Sequence, residues 1–168
     1  MRRALLLALC LTLAGALGAC GENTEIRDAA QEGRDSAVGT TAATEEGSDS
    51  LELAATLTGA AERPDPGDPD GSGSAMIVLD PSVNEVCFKL TADGIAEATA
   101  AHIHTGTVDV AGPVIIEITA PVGGSSEGCT VAEASLVNEL STNPAGFYVN
   151  VHNAEFANGA IRGQLAAA

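Results

Sequence analysis

Residues 85–91 read EVCFKLT, and their alternation decides the fold. Val86, Phe88 and Leu90 fall on one side of an extended chain, and Glu85, Cys87 and Lys89 on the other. A period of two belongs to a strand with one buried face. The same period, broken by Gly, Pro and Asp, recurs outward from this stretch at 51–58, 74–79, 100–104, 114–118, 147–152 and 160–165. Short strands at this spacing, with turn signals at 63–73, 105–112 and 120–128, predict an all-β domain built as an antiparallel β-sandwich. Residues 130–140 depart from the pattern. Val131, Leu136, Val137 and Leu140 fit one helical face, so a short helix is expected there.

Moving towards the N-terminus, residues 21–50 hold only Ile26 and Val38 as sizeable aliphatics among eight acids and two Arg. Such a segment buries too little apolar surface to offset chain ordering and reads as an acidic linker with a coil reach of about 30 Å. Before it, Arg2 and Arg3 precede an apolar run that ends in Leu17-Gly18-Ala19-Cys20. That charge order is a signal peptide over 1–19, and the run is short for a membrane span. Small residues ahead of Cys20 resemble a bacterial lipoprotein processing site. The resemblance implies that Cys20 carries a diacylglycerol and begins the mature chain, placing the protein in the bacterial cell envelope, extracytoplasmic and lipid-anchored. The expected organisation is therefore signal peptide 1–19, lipidated Cys and linker 20–50, and one domain over 51–168.

The full chain has 168 residues, 7 Lys and Arg against 23 Asp and Glu, and a net charge of −16. Both Arg of the signal peptide leave with it, so the mature chain carries −18, of which −12 lies in 51–168. This balance excludes nucleic acid, which needs a basic surface, and adsorption to anionic lipid by charge alone. Attachment to a membrane falls to the lipid on Cys20. Beyond Cys10 and Cys20, two cysteines remain, Cys87 and Cys129. An even pair in an exported chain reads as one disulfide. Strand parity points Cys87 outward, so the bridge should pin the Gly-rich 120–128 loop across the outside of a sheet.

The chain has three His, all on expected strands: His102 and His104 in AAHIHTG, and His152 in FYVNVH. Alternation sets His102 and His104 opposite Ala101 and Ile103, and Tyr148, Asn150 and His152 opposite Phe147, Val149 and Val151. If these strands are neighbours in register, three imidazoles converge beside a phenol and an amide. Three neutral His with an open fourth position suit copper or zinc. A hydrogen-bonded polar cluster and a plain solvent face are the competing readings of the same residues. Glu117 and Asp109 are the acids that could fold near as orienting groups. Arg162 and Gln164 share a face opposite Ile161 and Leu165, and Arg162 is expected to hold a carboxylate or loop carbonyls. The Asp-rich 65–73 loop fails the EF-hand pattern, and no catalytic motif stands out.

Taken in order, LTGAAERP (57–64), GSAMIVLD (73–80), VCFKL (86–90), AHIHTG (101–106), GPV (112–114), YVNVH (148–152) and NGAIRGQL (158–165) resemble the CHRD domain. That domain was first described in the growth-factor antagonist chordin and is found widely in bacterial exported proteins. The resemblance covers essentially 51–168 and implies an immunoglobulin-like or superoxide-dismutase-like β-sandwich, with no established activity. Ala157 departs from it, where the family often has Pro. Copper–zinc dismutase chemistry is excluded by count, because a dinuclear centre needs more imidazoles than three His supply. The functional expectation is a lipid-anchored, non-enzymatic binding module with an envelope protein or glycan partner. The alternative is a mononuclear copper or zinc protein, a metal carrier or redox enzyme, using His102, His104 and His152.

Overall fold

The computed structural model describes residues 50–168. The signal peptide, Cys20 and the linker, expected over 1–50, lie outside the described residues except for Ser50. Three apolar-alternating stretches make an antiparallel meander: β1 (Leu51–Thr58), β2 (Ser72–Asp80) and β3 (Glu85–Asp93). Their inward positions are Leu53, Ala55 and Leu57, then Ala75, Ile77 and Leu79, then Val86, Phe88, Leu90 and Ala92, all buried. Each fully buried aliphatic side chain contributes roughly 1.5–3 kcal/mol.

The chain continues through β4 (Ala98–Thr105), β5 (Val114–Ile118), β6 (Ser125–Val131), α1 (Ala134–Thr142), β7 (Phe147–Asn153), β8 (Ile161–Gln164) and β9 (Ala166–Ala167). The strands form one sheet in the order β5-β4-β7-β8-β1-β2-β3-β6, with β9 paired to β1. It is antiparallel throughout and wound until nearly closed, a barrel-like form of the expected β-sandwich class. Strands β8 and β1 meet at one register pair, Thr58 and Arg162. Gly163 permits the two strands to approach closely, because a Cβ there would strike the Thr56 carbonyl.

Closure is incomplete between the two edge strands. Ser126 Oγ donates to Thr119 O at 2.7 Å and draws one end of the seam together. Val137 and Leu140 of α1 join the aliphatic core.

Two expectations need correction. Residues 125–131 are a strand in register with β3, not part of a loop, and the helix starts at Ala134, so Val131 lies in β6. Val131 is 72% exposed and belongs to no helical face. Cys87 and Cys129 are directly opposed residues with Cα atoms 3.9 Å apart, joined by a disulfide. The bridge therefore fastens an edge strand to its neighbour, where a loop staple was expected.

Candidate functional site

Strands β4, β7 and β8 are neighbours, and each turns its aliphatic face to the core. Their other faces align as a grid. One cross-strand row runs His102, Asn150, Arg162, and the next runs His104, Tyr148, Gln164. His152 lies opposite Ala100, one row further along β7. An outward strand face is ordinarily wet, but loops cover this one. Arg162, Asn150, Tyr148 and Glu62 are 1%, 2%, 3% and 3% exposed, and His104 is 8% exposed. His102 and His152 are half-buried.

The covering loops are held by the grid itself. Arg162 Nη2 donates to Thr107 O at 2.8 Å, and Gln164 Nε2 donates to Gly106 O at 2.7 Å. Gln164 Nε2 also reaches Ala145 O at 2.9 Å. Tyr148 meets Gly112 twice, accepting from its N–H at 3.2 Å and donating to its carbonyl at 3.3 Å. Arg63 and Asp109 form an exposed ion pair at 3.6 Å between the loops, which adds little stability. Asp109 is thus engaged away from the histidines. Glu117 stands opposite His102 on β5 but is exposed.

Aromatic geometry orders the centre. The Arg162 guanidinium lies 3.4 Å from the Tyr148 ring centroid, and Tyr148 stacks on His104 at 4.7 Å and 8°. His102 meets His152 edge-on at 4.8 Å between centroids, and His104 at 5.5 Å. His102 Nδ1 is 3.0 Å from His152 Nε2. Asn150 Oδ1 lies 3.0 Å from His104 Nε2 and 3.1 Å from His152 Nε2. On the far side of each ring, His104 Nδ1 donates to Gly112 O at 2.9 Å and His152 Nδ1 to Ala157 O at 3.0 Å. The three His therefore converge, with ligand atoms all within 4.8 Å of one another.

Burial holds the His104 and His152 imidazoles below the usual imidazole range, against the opposing pull of the Gly112 and Ala157 carbonyls. Both rings are neutral at pH 7. Burial also draws down the Arg162 guanidinium, which Tyr148 and Glu62 support, and it stays charged.

Glu62 is the site residue that sequence reasoning missed. The turn Gly59–Ala61 folds it under the grid, where burial lifts its carboxyl from 4.5 to about 7, despite the Arg63 backbone N–H, the Arg162 charge and the Asn150 amide, which lower it. Its Oε1 and Arg162 Nη1 are buried without a hydrogen-bond partner. Gly159, at φ +137°, lies against the Glu62 carboxyl, in space that any Cβ would fill. The one available signal was the acid within LTGAAERP, flanked by a turn and by Pro64.

An antiparallel sheet wound until nearly closed, with a disulfide on one face and a loop-covered polar grid on another, defines the class as an all-β domain. The sequence profile of the CHRD domain matches residues 53–165, and the chain belongs to the CHRD family. No curated protein and no solved structure gives a significant match.

Proposed function

We propose that the protein is a lipid-tethered, non-enzymatic binding module of the bacterial cell envelope that receives an extended segment of a partner protein at the seam between β5 and β6. The observation that carries this reading is the seam itself. It is a cleft of about 540 Å³, lined from one edge by Ile115, Ile116 and Glu117 and from the other by Thr130, Val131 and Ala132. Each edge strand pairs on one side only, so unpaired main-chain groups face the cleft, the arrangement that accepts an added strand. Glu117 and Glu133 on its walls favour a partner segment that is neutral or basic.

A glycan partner is the weaker choice. Phe88, Phe147 and Tyr148 are buried and Phe156 is half-buried, so the described residues offer no exposed aromatic platform for a sugar ring. The tether rests on the Cys20 processing site and the acidic linker of the sequence.

A photo-crosslinking residue at Ile115 or Val131, in cells making the full chain, tests the seam. Adducts of one mass from both positions, and none from exposed Val83, are expected; equal labelling at all three contradicts the reading. Incorporation of a lipid probe into wild type but not Cys20→Ala tests the anchor, and unlabelled wild type defeats it.

A further inference from the structure

We propose that His102, His104 and His152 bind one divalent first-row transition-metal ion, copper or zinc, through His102 Nδ1, His104 Nε2 and His152 Nε2, beside Asn150 Oδ1. The inference is independent of any partner at the seam.

The first argument is a count of hydrogens. Gly112 O and Ala157 O only accept, so the ring nitrogens at 2.9 and 3.0 Å from them carry the N–H. In a neutral ring the lone pair is then left on Nε2. Both Nε2 atoms face Asn150 Oδ1, at 3.0 and 3.1 Å, and that oxygen has no hydrogen to give. His102 Nδ1 donates to the His152 lone pair at 3.0 Å, which leaves the His104 lone pair facing only an oxygen; a cation satisfies both lone pairs and the amide oxygen together. The competing solution turns the Asn150 amide so that its NH₂ donates to both rings, and it predicts no metal uptake.

Spacing is the second argument. Metal–nitrogen bonds of about 2.0–2.1 Å place neighbouring donors about 2.9 Å apart at right angles and about 3.4 Å apart in a tetrahedron. The run from His104 Nε2 to Asn150 Oδ1, His152 Nε2 and His102 Nδ1 has steps of 3.0, 3.1 and 3.0 Å. These steps lie near the right-angled limit, which suits Cu²⁺ better than Zn²⁺. For His102 to ligate, its proton moves to Nε2, a tautomer change within one ring.

Support for the rings is the third. A backbone carbonyl holding the far N–H is how metal-bound imidazoles are commonly oriented, and two of the three rings have it here. Tyr148, stacked at 8°, fixes the plane of His104. The surrounding domain, with fifteen acids against three basic residues, raises the local concentration of cations.

The test is a calorimetric titration of the purified, chelator-stripped full chain with Cu²⁺ and with Zn²⁺, followed by electron paramagnetic resonance of the copper form. The expected result is one ion per chain, Cu²⁺ held more tightly than Zn²⁺, and nitrogen couplings in the copper spectrum. Affinity should fall on the order of 100-fold or more in His102→Ala and His152→Ala and stay unchanged in Glu52→Gln, an exposed acid on β1. Circular dichroism checks that the variants fold; if they do not, the wild-type nitrogen couplings still decide. No uptake at tenfold metal excess, uptake equal in the histidine variants, or a copper spectrum without nitrogen couplings overturns the proposal.

Discussion

The His104 and Tyr148 rings stack 4.7 Å apart and 8° from parallel, directly across the β4–β7 pair. Arg162 covers the Tyr148 ring at 3.4 Å, so one phenol couples a buried cation to the imidazole. Tyr148→Phe keeps both faces and loses only the hydroxyl contacts to Gly112, costing about 1 kcal/mol. Tyr148→Leu also loses the stack and the cation–π contact, raising the cost to on the order of 3 kcal/mol. Urea unfolding of the two variants measures the difference. Equal losses would show that the ring faces contribute nothing.

Glu62 makes stability depend on pH in a direction opposite to that of ordinary paired carboxylates. Its folded value, about 7, lies above its unfolded 4.5, so the folded state holds the proton longer. Its stabilising effect is complete below pH 4.5 and is lost as pH rises towards 7. His104 and His152 act the other way. Their folded values lie below 6.5, so stability is lost as pH falls through the imidazole range and the unfolded chain takes up protons first. In wild type the two effects therefore oppose each other where their pH ranges overlap. Glu62→Gln removes the alkaline loss and gains on the order of 3 kcal/mol relative to wild type between pH 4.5 and pH 7.5. Stability curves that run parallel across this range would refute the assignment.

Strand β6 depends on covalent support. Its burial alternates between exposed and half-buried, with no residue fully inside, so pairing with β3 and the Cys87–Cys129 bridge hold it. Cys129→Ser should cost about 4 kcal/mol by chain entropy over the 42-residue separation. Amide exchange in Ser125–Val131 should accelerate more than in β1 or β2. A uniform acceleration over all strands would count against a locally fastened edge.

These same residues explain what the sequence could and could not reveal. EVCFKLT announces its strand because each inward position carries a large apolar side chain. SSEGCTV does not, because its inward position opposite Phe88 is Gly128, and the Phe88 ring occupies the space. An edge strand defined by its neighbour leaves no periodic trace of its own. At the site, parity alone put His102 and His104 on one face and Tyr148, Asn150 and His152 on another, and the register of β4 with β7 brought the faces together. Burial of that face was not legible. It arises from loops that Arg162 and Gln164 hold through carbonyls some 55 residues away, Thr107 for Arg162 at a separation of 55. Glu62 was hidden for the same reason, since its environment is Gly159, Asn150 and Arg162, all remote in the chain.

The central claim is that the loop-covered grid presents the Nε2 lone pairs of His104 and His152 towards a shared centre. Long-range proton–nitrogen correlation spectra of the imidazoles, recorded on the metal-free full chain at pH 7.5, test it most directly. The account predicts neutral His104 and His152 rings with the hydrogen on Nδ1, held by Gly112 and Ala157. Rings protonated on Nε2, or on both nitrogens, would contradict it.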